Sequence, residues 1–486
     1  MAKAAHNGAI VLAGAAFVVA NVALMAHGHY WLNLLPAALL LAWALFMAPR
    51  HLLLFIAFAT PLSINLEELE IGGLGISLPT EPLMAAMSVL FLLRVLMGGD
   101  VVDRRFMRHP VTVIILLQLA WMAFTVLTSS MPLVSIKALV ARLWFVTTAY
   151  FVASRCLDSP VWRARFMHAF IAGLVVVVGY TLVRHAGYDF AHDPGHWVME
   201  PFFKDHTGYG AVLALVLPFA GAAVIMPGRG TGYRAVMVAV LAVLVTGLVF
   251  SYTRAAWVSL IGAGGMLLVM RLRVPAWALI ALALSAGGVY LANEEQITIA
   301  LERNEEESSD DMREHVRSIS NISSDASNLE RINRWNAAVR MWEERPVRGW
   351  GPGTYMFQYA PFQSARDRTI ISTNFGTGGN AHSEYLGPLS EQGLPGLLLM
   401  VALVLATGIV AVRLYHRMPA GADRLMLTAL FLGLVTYYVH GVLNNYLDLD
   451  KASVPVWAFT AMVVLLDLAY PAPGTGRAGD LTGTRR

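Results

Sequence analysis

The sequence contains little charge and almost no cysteine. Charged residues make up 14% of its 486 residues, whereas hydrophobic residues make up 57%, and the mean hydropathy is +0.58. A soluble protein carries roughly a quarter charged residues to solvate its surface, so this composition excludes a chain of soluble domains. The one cysteine, Cys156, cannot form an internal disulfide. It is either a reactive thiol or a small buried hydrophobic residue, and the second interpretation is favoured.

The sequence also lacks the motifs by which soluble enzymes hold metals and nucleotides. It has no His/Cys cluster with metal-ligand spacing, no glycine-rich phosphate loop and no Gly-x-Ser-x-Gly turn. We therefore predict no metal site and no cofactor. The net charge of +3 is too small to indicate a nucleic-acid partner.

The sequence does contain apolar runs of about 18 to 22 residues, the length that crosses a hydrocarbon core of roughly 30 Å. They predict an all-α, polytopic transmembrane helix bundle of about 12 to 14 spans. The predicted spans are 8–26, 31–48, 51–66, 81–98, 111–129, 133–154, 163–184, 207–226, 234–252, 255–271, 274–292, 384–412, 424–443 and 453–471. The first run could instead be a cleaved signal peptide, but its length favours a membrane helix. The run that begins near residue 384 is too long for one straight crossing, so part of it should tilt or lie shallow.

The charges of the connecting loops alternate along the chain. Arginines mark one set of loops, as at Arg50, Arg104, Arg155, Arg229 and Arg413, whereas acidic residues mark the segments 66–70, 189–205 and 444–450. Because positively charged loops stay in the cytoplasm, both termini are predicted to be cytoplasmic. The predicted cytoplasmic loops are all short, which argues against nucleotide chemistry on that side.

These patterns divide the chain into four parts. We predict an N-terminal bundle of about eleven spans in residues 1–292, a large outer loop in 293–383, C-terminal spans in 384–471 and a cytoplasmic tail in 472–486. The first half of the loop, from Glu302 to Glu330, is acidic. It is either a carboxylate metal cluster or a solvated, mobile face, and the absence of recurring ligand spacing favours the solvated face.

The second half of the outer loop predicts an amphipathic helix. Ile332, Trp335, Val339 and Trp342 recur at helical spacing, and Arg345-Pro346 ends the pattern. We expect this helix to lie on the outer face of the bilayer with its tryptophans at headgroup level.

Two charged or titratable residues at the predicted outer rim are candidates for chemistry. Arg254 lies in a hairpin between two spans, where a guanidinium offers a fork of donors to a phosphate; a snorkelling interface arginine is the alternative. His382 lies where the long loop re-enters the membrane and could act as a base on a hydroxyl; a packed structural histidine is the alternative. Glu384 or Asn380 could orient His382.

Further candidates lie at helix starts and in the loop. Lys204 could bind phosphate, while Asp205 and His206 could bind sugar hydroxyls, although Asp205 could equally be a helix N-cap. Arg142 is deep enough in a span to suggest a role. The full set of predicted substrate-binding residues is Lys204, His206, Arg142, Arg331, Arg348 and Glu384.

Four short segments, in this order along the chain, resemble the O-antigen ligase and polymerase superfamily of bacterial membrane glycosyltransferases (the WaaL/Wzy type). They are Lys204-Asp205-His206-Thr207-Gly208-Tyr209-Gly210 with Leu217-Pro218, the Ser251-to-Trp257 hairpin, Arg334-Trp335 running into Pro346-Val347-Arg348-Gly349-Trp350-Gly351, and Ala381-His382-Ser383-Glu384-Tyr385-Leu386 followed by Glu391-Gln392-Gly393-Leu394-Pro395-Gly396. The resemblance covers about residues 200–400, whereas the N-terminal spans match only in being hydrophobic.

The resemblance implies a GT-C-like enzyme of the bacterial inner membrane whose active site faces the periplasm. Such enzymes transfer a glycan from an undecaprenyl-diphosphate carrier to an acceptor, without a cofactor or a divalent metal. The acceptor is lipid A–core in ligases, a growing glycan in polymerases and a protein hydroxyl in oligosaccharyltransferase relatives. At the matching positions, His382 would be the base of an inverting reaction and Arg254 would clamp the diphosphate.

A secondary transporter or lipid flippase is the main alternative from another functional class. Transporters place charges near the bilayer midplane on broken helices of paired repeats. Here the notable charges gather at the predicted outer rim, and one large loop breaks any internal symmetry, which favours an enzyme. A structural membrane subunit would explain the bundle but neither the arginine hairpin nor the loop histidine.

Overall fold

The computed structural model describes residues 2–66, 75–99, 101–275, 285, 326–364, 372 and 379–472. The chain divides into two compact units, Met1–Leu53 and Leu54–Arg486. The first unit contains helices α1 (Ala2–Ala26) and α2 (Leu34–Met47), with a short 3-10 turn at Trp31–Asn33. Within it, the amide of Asn21 donates a hydrogen bond to Asn33 Oδ1 at 2.6 Å. Helix α3 (Pro49–Ala59) begins in this unit and ends in the second.

The second unit is a helix bundle, which confirms the predicted all-α class. Its helices are α4 (Thr80–Leu96), α5 (Arg104–Met107), α6 (Pro110–Leu127), α7 (Pro132–Val146), a π-helical turn (Thr147–Val152), α8 (Ala153–Cys156), α9 (Pro160–Ala186), α10 (His206–Val224), α11 (Thr231–Val249), α12 (Arg254–Leu272), α13 (Ala326–Glu344), α14 (Tyr355–Gln358), α15 (Leu386–Arg417), α16 (Ala422–His440) and α17 (Asp450–Ala469). Short 3-10 turns lie at Pro194–His196 and Ala360–Phe362. A two-stranded antiparallel hairpin, β1 (Ile64–Asn65) with β2 (Ser77–Leu78), pairs Asn65 with Ser77.

Within the described ranges, nine helices are long and apolar enough to cross a membrane, or ten if the broken pair α2–α3 counts as one span. These nine coincide with the predicted spans from 111–129 onwards, except 274–292, which lies almost wholly outside the described residues. The separate span predicted at 51–66 is wrong. Helix α3 ends at Ala59 after 11 residues, a length of roughly 16 Å, which is about half of a hydrocarbon core. Of the acidic segment 302–330, only residues 326–330 are described; they belong to a helix, and Glu330 is buried rather than part of a solvated face. The predictions for residues 302–325 and for the tail beyond Ala472 concern residues outside the described part.

Ion pairs join alternate helix ends of the second unit. Arg417 Nη2, at the end of α15, donates to Asp467 Oδ1 at 2.7 Å, and His109 Nε2 lies 3.3 Å from Asp467 Oδ2. Arg163, near the start of α9, lies 3.8 Å from Asp423 at the start of α16. All these residues belong to the helix ends predicted to be cytoplasmic, so the helices run antiparallel in the order that the loop charges require. Which end faces which compartment remains a prediction.

Helix α15 is broken at Gly393, which confirms that this long segment is not one straight helix. Gly393 has φ 70° and ψ −171°, a conformation that L side chains rarely adopt. A Cβ built there would lie 2.3 Å from the carbonyl oxygen of Val347. The glycine-rich turn after α13 packs into the break, where Trp350 N donates to Ser390 O and Leu394 N to Pro346 O. Two of the segments that carry the family resemblance are therefore in direct contact.

Replacing Gly393 with alanine should lower the free energy of unfolding by more than about 1 kcal/mol, because the substitution is strained at positive φ and clashes with Val347. The thermal midpoint of the detergent-solubilised protein measures the effect. Gly387→Ala in the same helix is the matched control, since a Cβ there meets nothing within 4 Å. Equal midpoints for the two variants would contradict the strain argument.

The amphipathic helix of the outer loop is present as α13, and it ends at Glu344, directly before the predicted stop at Arg345-Pro346. Its buried face differs from the apolar stripe read from the sequence. Glu330, Asn333, Arg334, Ala337, Ala338 and Met341 are buried, whereas Ile332, Trp335, Val339 and Trp342 are only half-buried. The buried polar residues satisfy one another: Arg334 Nε donates to Glu330 Oε1 at 2.8 Å, and Asn333 Nδ2 donates to Gln363 Oε1 at 2.8 Å.

Candidate active site

His382 is held in an unusual backbone conformation by two hydrogen bonds. Its φ is +46°, in the left-handed region where non-glycine residues are uncommon. Its backbone N–H donates to Asn380 Oδ1 at 3.1 Å, and its carbonyl accepts from Trp335 Nε1 at 3.2 Å. Strained residues of this kind persist where the surroundings over-determine them, and they cluster at functional sites. Of the two residues that the sequence suggested as partners of His382, Glu384 and Asn380, it is therefore Asn380 that contacts it, and this contact is with the His382 backbone.

The His382 side chain is half-buried beside two arginines of α13. Burial, followed by the positive charges of Arg334 and Arg331, lowers the pKa of His382 to about 4. The imidazole is therefore neutral at pH 7 and can accept a proton. Arg331, one of the predicted substrate-binding residues, also lies within electrostatic reach of His206 and His440, so it faces the same group of side chains.

Asn444 lies between His382 and a buried histidine, His440. Its side chain lies close enough to the His382 imidazole to raise the pKa of that ring, and its Nδ2 lies 3.1 Å from His440 Nε2. Both Asn444 and His440 are buried. Neither residue was predicted from the sequence.

The start of α10 brings Asp205 and His206 to the same place. Asp205 Oδ1 accepts from Gly208 N at 2.7 Å and from Thr207 Oγ1 at 2.6 Å, so the N-cap interpretation is confirmed. The Asp205 charge also raises the pKa of His382, so the cap lies within electrostatic reach of the imidazole. The His206 ring stacks on His196, with centroids 4.3 Å apart.

The arginine hairpin is attached to this same helix start. Thr253 Oγ1 donates to the carbonyl oxygen of His206 at 2.7 Å, and Gly210 allows the close approach, since a Cβ there would lie 2.6 Å from Thr253. Arg254 is the first residue of α12 and is half-buried. Its guanidinium makes no hydrogen bond or ion pair with another described residue. Thr253 thus links the Arg254 hairpin to the His206 end of the cluster.

Arg142 and Glu384 form a separate polar group. Arg142 Nη2 donates to Asp448 Oδ1 at 2.9 Å. The Glu384 carboxylate does not contact His382; its Oε1 accepts from Tyr446 N at 2.6 Å, from Leu447 N at 2.8 Å and from the Tyr437 hydroxyl. Burial and the nearby Asp448 charge raise the pKa of Glu384. Glu384 therefore holds the loop between α16 and α17, which is the loop that carries Asn444.

Lys204 and Arg348 are both exposed. Lys204 lines a pocket of about 380 Å³ together with Asp205, which places it beside the cluster. Arg348 lies on the turn between α13 and α14, and no contact joins it to His382 among the described residues. Among the residues that the structure describes, no three His, Cys, Asp or Glu side chains are arranged to hold a metal ion.

Part of this cluster lies in a stretch of the chain that matches a known family. Residues 237–401 match the family model of the O-antigen ligases. The match confirms the superfamily resemblance and includes Arg254, α13, His382 and Glu384, whereas Lys204, Asp205 and Asn444 lie outside it. This match over part of the chain supports a glycosyltransferase or ligase type of enzyme in a multi-pass bacterial membrane protein, with glycan substrates and a lipid environment. No curated protein matches the chain.

Proposed function

We propose that the protein transfers a glycan from an undecaprenyl-diphosphate carrier to an acceptor hydroxyl at the periplasmic face of the inner membrane. The observation that carries this proposal is the neutral imidazole of His382 near Arg331 and Arg334, in the stretch that matches the O-antigen ligase model. The acceptor closest to the family description is lipid A–core. Glycan polymerisation and transfer to a protein hydroxyl use the same chemistry and are the alternatives.

Cationic side chains stabilise the leaving group. When the glycosidic bond to the carrier breaks, negative charge develops on the diphosphate, and preorganised donors each contribute a few kcal/mol, about 2.7–4, to stabilising such charge. The Arg254 guanidinium makes no hydrogen bond or ion pair with another described residue, so it can bind a phosphate without breaking one. Arg331 lies within electrostatic reach of His382. These two guanidinium groups form the diphosphate clamp, and the transfer needs no divalent metal.

His382 takes the proton from the acceptor hydroxyl as the oxygen attacks the anomeric carbon from the side opposite the diphosphate, which inverts that carbon. A base with a pKa of about 4 is weak at pH 7. The Arg331 charge contributes to the low value, and the bound diphosphate neutralises it, so binding of the donor raises the pKa of His382. The base therefore becomes effective only when the donor is present.

Helix α13 limits access of water to the bond that breaks. Trp335 donates to the His382 carbonyl and Arg334 Nη1 donates to the Asn380 carbonyl at 3.2 Å, and these two bonds fix the helix against the loop. Hydrolysis would waste the activated donor, so exclusion of water serves transfer. A transporter would instead need polar groups near the midplane of its spans, whereas the residues of this cluster lie at helix ends and in connecting loops.

The glycan phenotype of a deletion strain tests the proposal. Loss of polymer on lipid A–core, with carrier-linked polymer retained, identifies a ligase, whereas single repeat units on the acceptor identify a polymerase. Loss of a glycoprotein with unchanged lipopolysaccharide identifies a protein transferase. An unchanged glycan profile in all three fractions would contradict the proposal.

The pH dependence of glycan transfer should show that His382 is neutral over most of the pH range in which the protein can be assayed. In kcat/KM, which reports the free enzyme, activity should be flat from pH 7 to pH 5 and should fall tenfold per pH unit below about pH 4, because protonation removes the base. In kcat, which reports the donor complex, the same fall should begin at higher pH. Initial rates with purified protein measure both kcat/KM and kcat. Each sample is also returned to pH 7 and assayed again, so that irreversible inactivation at low pH can be separated from protonation of the base.

Asn444→Asp sharpens the test. A carboxylate beside His382 raises its pKa, so the fall in kcat/KM should move to higher pH in this variant. A fall centred near pH 6.5 in the wild type, or no movement in Asn444→Asp, would remove His382 as the titrating base.

A further inference from the structure

A pocket of about 380 Å³ lies beside the start of α10, and the transfer chemistry does not use it. Three separate parts of the chain form its walls: the β1–β2 hairpin with Asn65 and Ser77, the segment before α10 with Phe203 and Lys204, and the start of α17 with Lys451. The volume falls within the range of about 300–1,000 Å³ that is typical of small-molecule sites.

The wall formed by α17 is fixed to the hairpin region by buried polar contacts. Asp450 Oδ2 accepts from Ser63 Oγ and from Thr80 Oγ1, both at 2.5 Å. Lys451 Nζ donates to the Ser63 carbonyl oxygen at 3.0 Å and lies 3.6 Å from Asp450 Oδ1. Asp450 is 1% exposed and Lys451 is 8% exposed. Since buried charges persist only when paired and hydrogen-bonded, these contacts hold the pocket in a preformed shape.

The charged side chains that line the pocket balance, since Lys204 and Lys451 are matched by Asp205 and Asp450. Near His382, Arg334 is paired with Glu330, and Arg331 adds a further positive charge. A diphosphate is therefore favoured on the arginine side, whereas the pocket favours a polar ligand without net charge.

The polar groups that remain available in the pocket are one donor and one acceptor. Lys204 Nζ makes no hydrogen bond with another described residue. Asp205 uses Oδ1 for the helix cap, and no described donor contacts Oδ2. A sugar hydroxyl both donates and accepts, so a ring with adjacent hydroxyls satisfies both groups. Phe202 and Phe203 supply apolar wall for the carbon-bound face of such a ring.

We propose that this pocket, the glycosyl pocket, binds one sugar unit of a substrate between Lys204 Nζ and Asp205 Oδ2. The inference rests on the proposed glycan transfer. Asp205 lines the pocket and also acts electrostatically on His382, so a sugar bound here lies within electrostatic reach of the base. The sugar belongs either to the donor or to the acceptor, and kinetics distinguish the two.

The test uses the full-length purified protein with carrier-linked glycan and acceptor glycolipid extracted from the native cells. Lys204→Gln replaces the charged ammonium group with a shorter, uncharged amide. Ala452→Leu fills the pocket from α17. Loss of a hydrogen bond to a charged group corresponds to about a tenfold loss of affinity, so KM for one substrate should rise about tenfold while kcat stays within about twofold. A rise in donor KM assigns the sugar to the donor, and a rise in acceptor KM assigns it to the acceptor.

Lys137→Gln is the matched control, because it removes the same charge from an exposed position outside the pocket. Undecaprenyl diphosphate, which carries no sugar, serves as a competitive probe. Its inhibition constant should be unchanged in Lys204→Gln; a parallel rise would assign the pocket to phosphate and overturn the proposal. Unchanged KM values in both variants, with folding verified by thermal midpoint, would also overturn it. Absence of transfer by the wild type would instead contradict the proposed function.

Discussion

Replacing His382 with alanine should reduce glycan transfer by about 100- to 10,000-fold, the contribution of a well-placed general base. The loss should appear in kcat, because the proton moves only in the reacting complex and binding of the carrier depends on the arginines. Transfer from carrier-linked glycan to the acceptor, with purified protein at saturating donor, measures the effect. Since acceptor attack is what fails, the carrier-linked glycan should accumulate in cells that express the variant.

His382→Asn separates the loss of the base from a disturbance of the loop. Asparagine tolerates the left-handed backbone conformation that His382 adopts, and its side chain retains hydrogen-bonding groups, but it cannot take a proton. It should therefore be as inactive as the alanine variant while keeping the wild-type thermal midpoint. His416→Ala, an exposed histidine at the other end of α15, should transfer normally. Substantial transfer by His382→Asn would remove the imidazole from the mechanism.

The helices were predictable because the signals that specify them are local. An apolar run of sufficient length identifies a span, and a proline such as Pro346 identifies a helix end. The buried face of α13 was not predictable in this way. Ile332 and Trp335 repeat at helical spacing, but Asn333 and Arg334 are buried, because Glu330 and Gln363 satisfy their hydrogen bonds. Gln363 lies 30 residues from Asn333 along the chain, so its effect on the burial of Asn333 cannot be seen in the spacing of apolar residues within α13.

The candidate site shows the same limit. His382 and Arg254 are conspicuous because titratable or charged side chains at the ends of apolar runs are rare. Asn444 and His440 act only through the packing of the α16–α17 loop against the re-entry segment, which Glu384 holds by accepting from Tyr446 N. The sequence did place His440 at the end of a span, four residues before Asn444. That spacing indicates a site only when the loop is known to pack against the re-entry segment. Shape and charge balance, which define the glycosyl pocket, have no local signature.

Replacing Arg254 with alanine should lower kcat by about 100- to 1,000-fold, the effect of removing one preorganised donor from a developing negative charge. Arg254→Lys should recover only part of this loss, since an ammonium is a point charge and cannot reproduce the fork of donors that a guanidinium offers to a diphosphate. Arg271→Lys, at the opposite end of the same helix, is the matched control and should retain wild-type activity.

The lysine variant distinguishes a clamp from an interface arginine. An arginine that only anchors α12 at the membrane surface loses little when lysine replaces it, because lysine also extends its charge to the interface. A clamp that acts on the leaving diphosphate lowers kcat while changing the KM for the donor less, since the interaction strengthens as charge develops. Equal activity of Arg254→Lys and wild type would therefore assign Arg254 to anchoring. It would leave Arg331 as the remaining cation of the clamp and move the site of diphosphate binding towards α13.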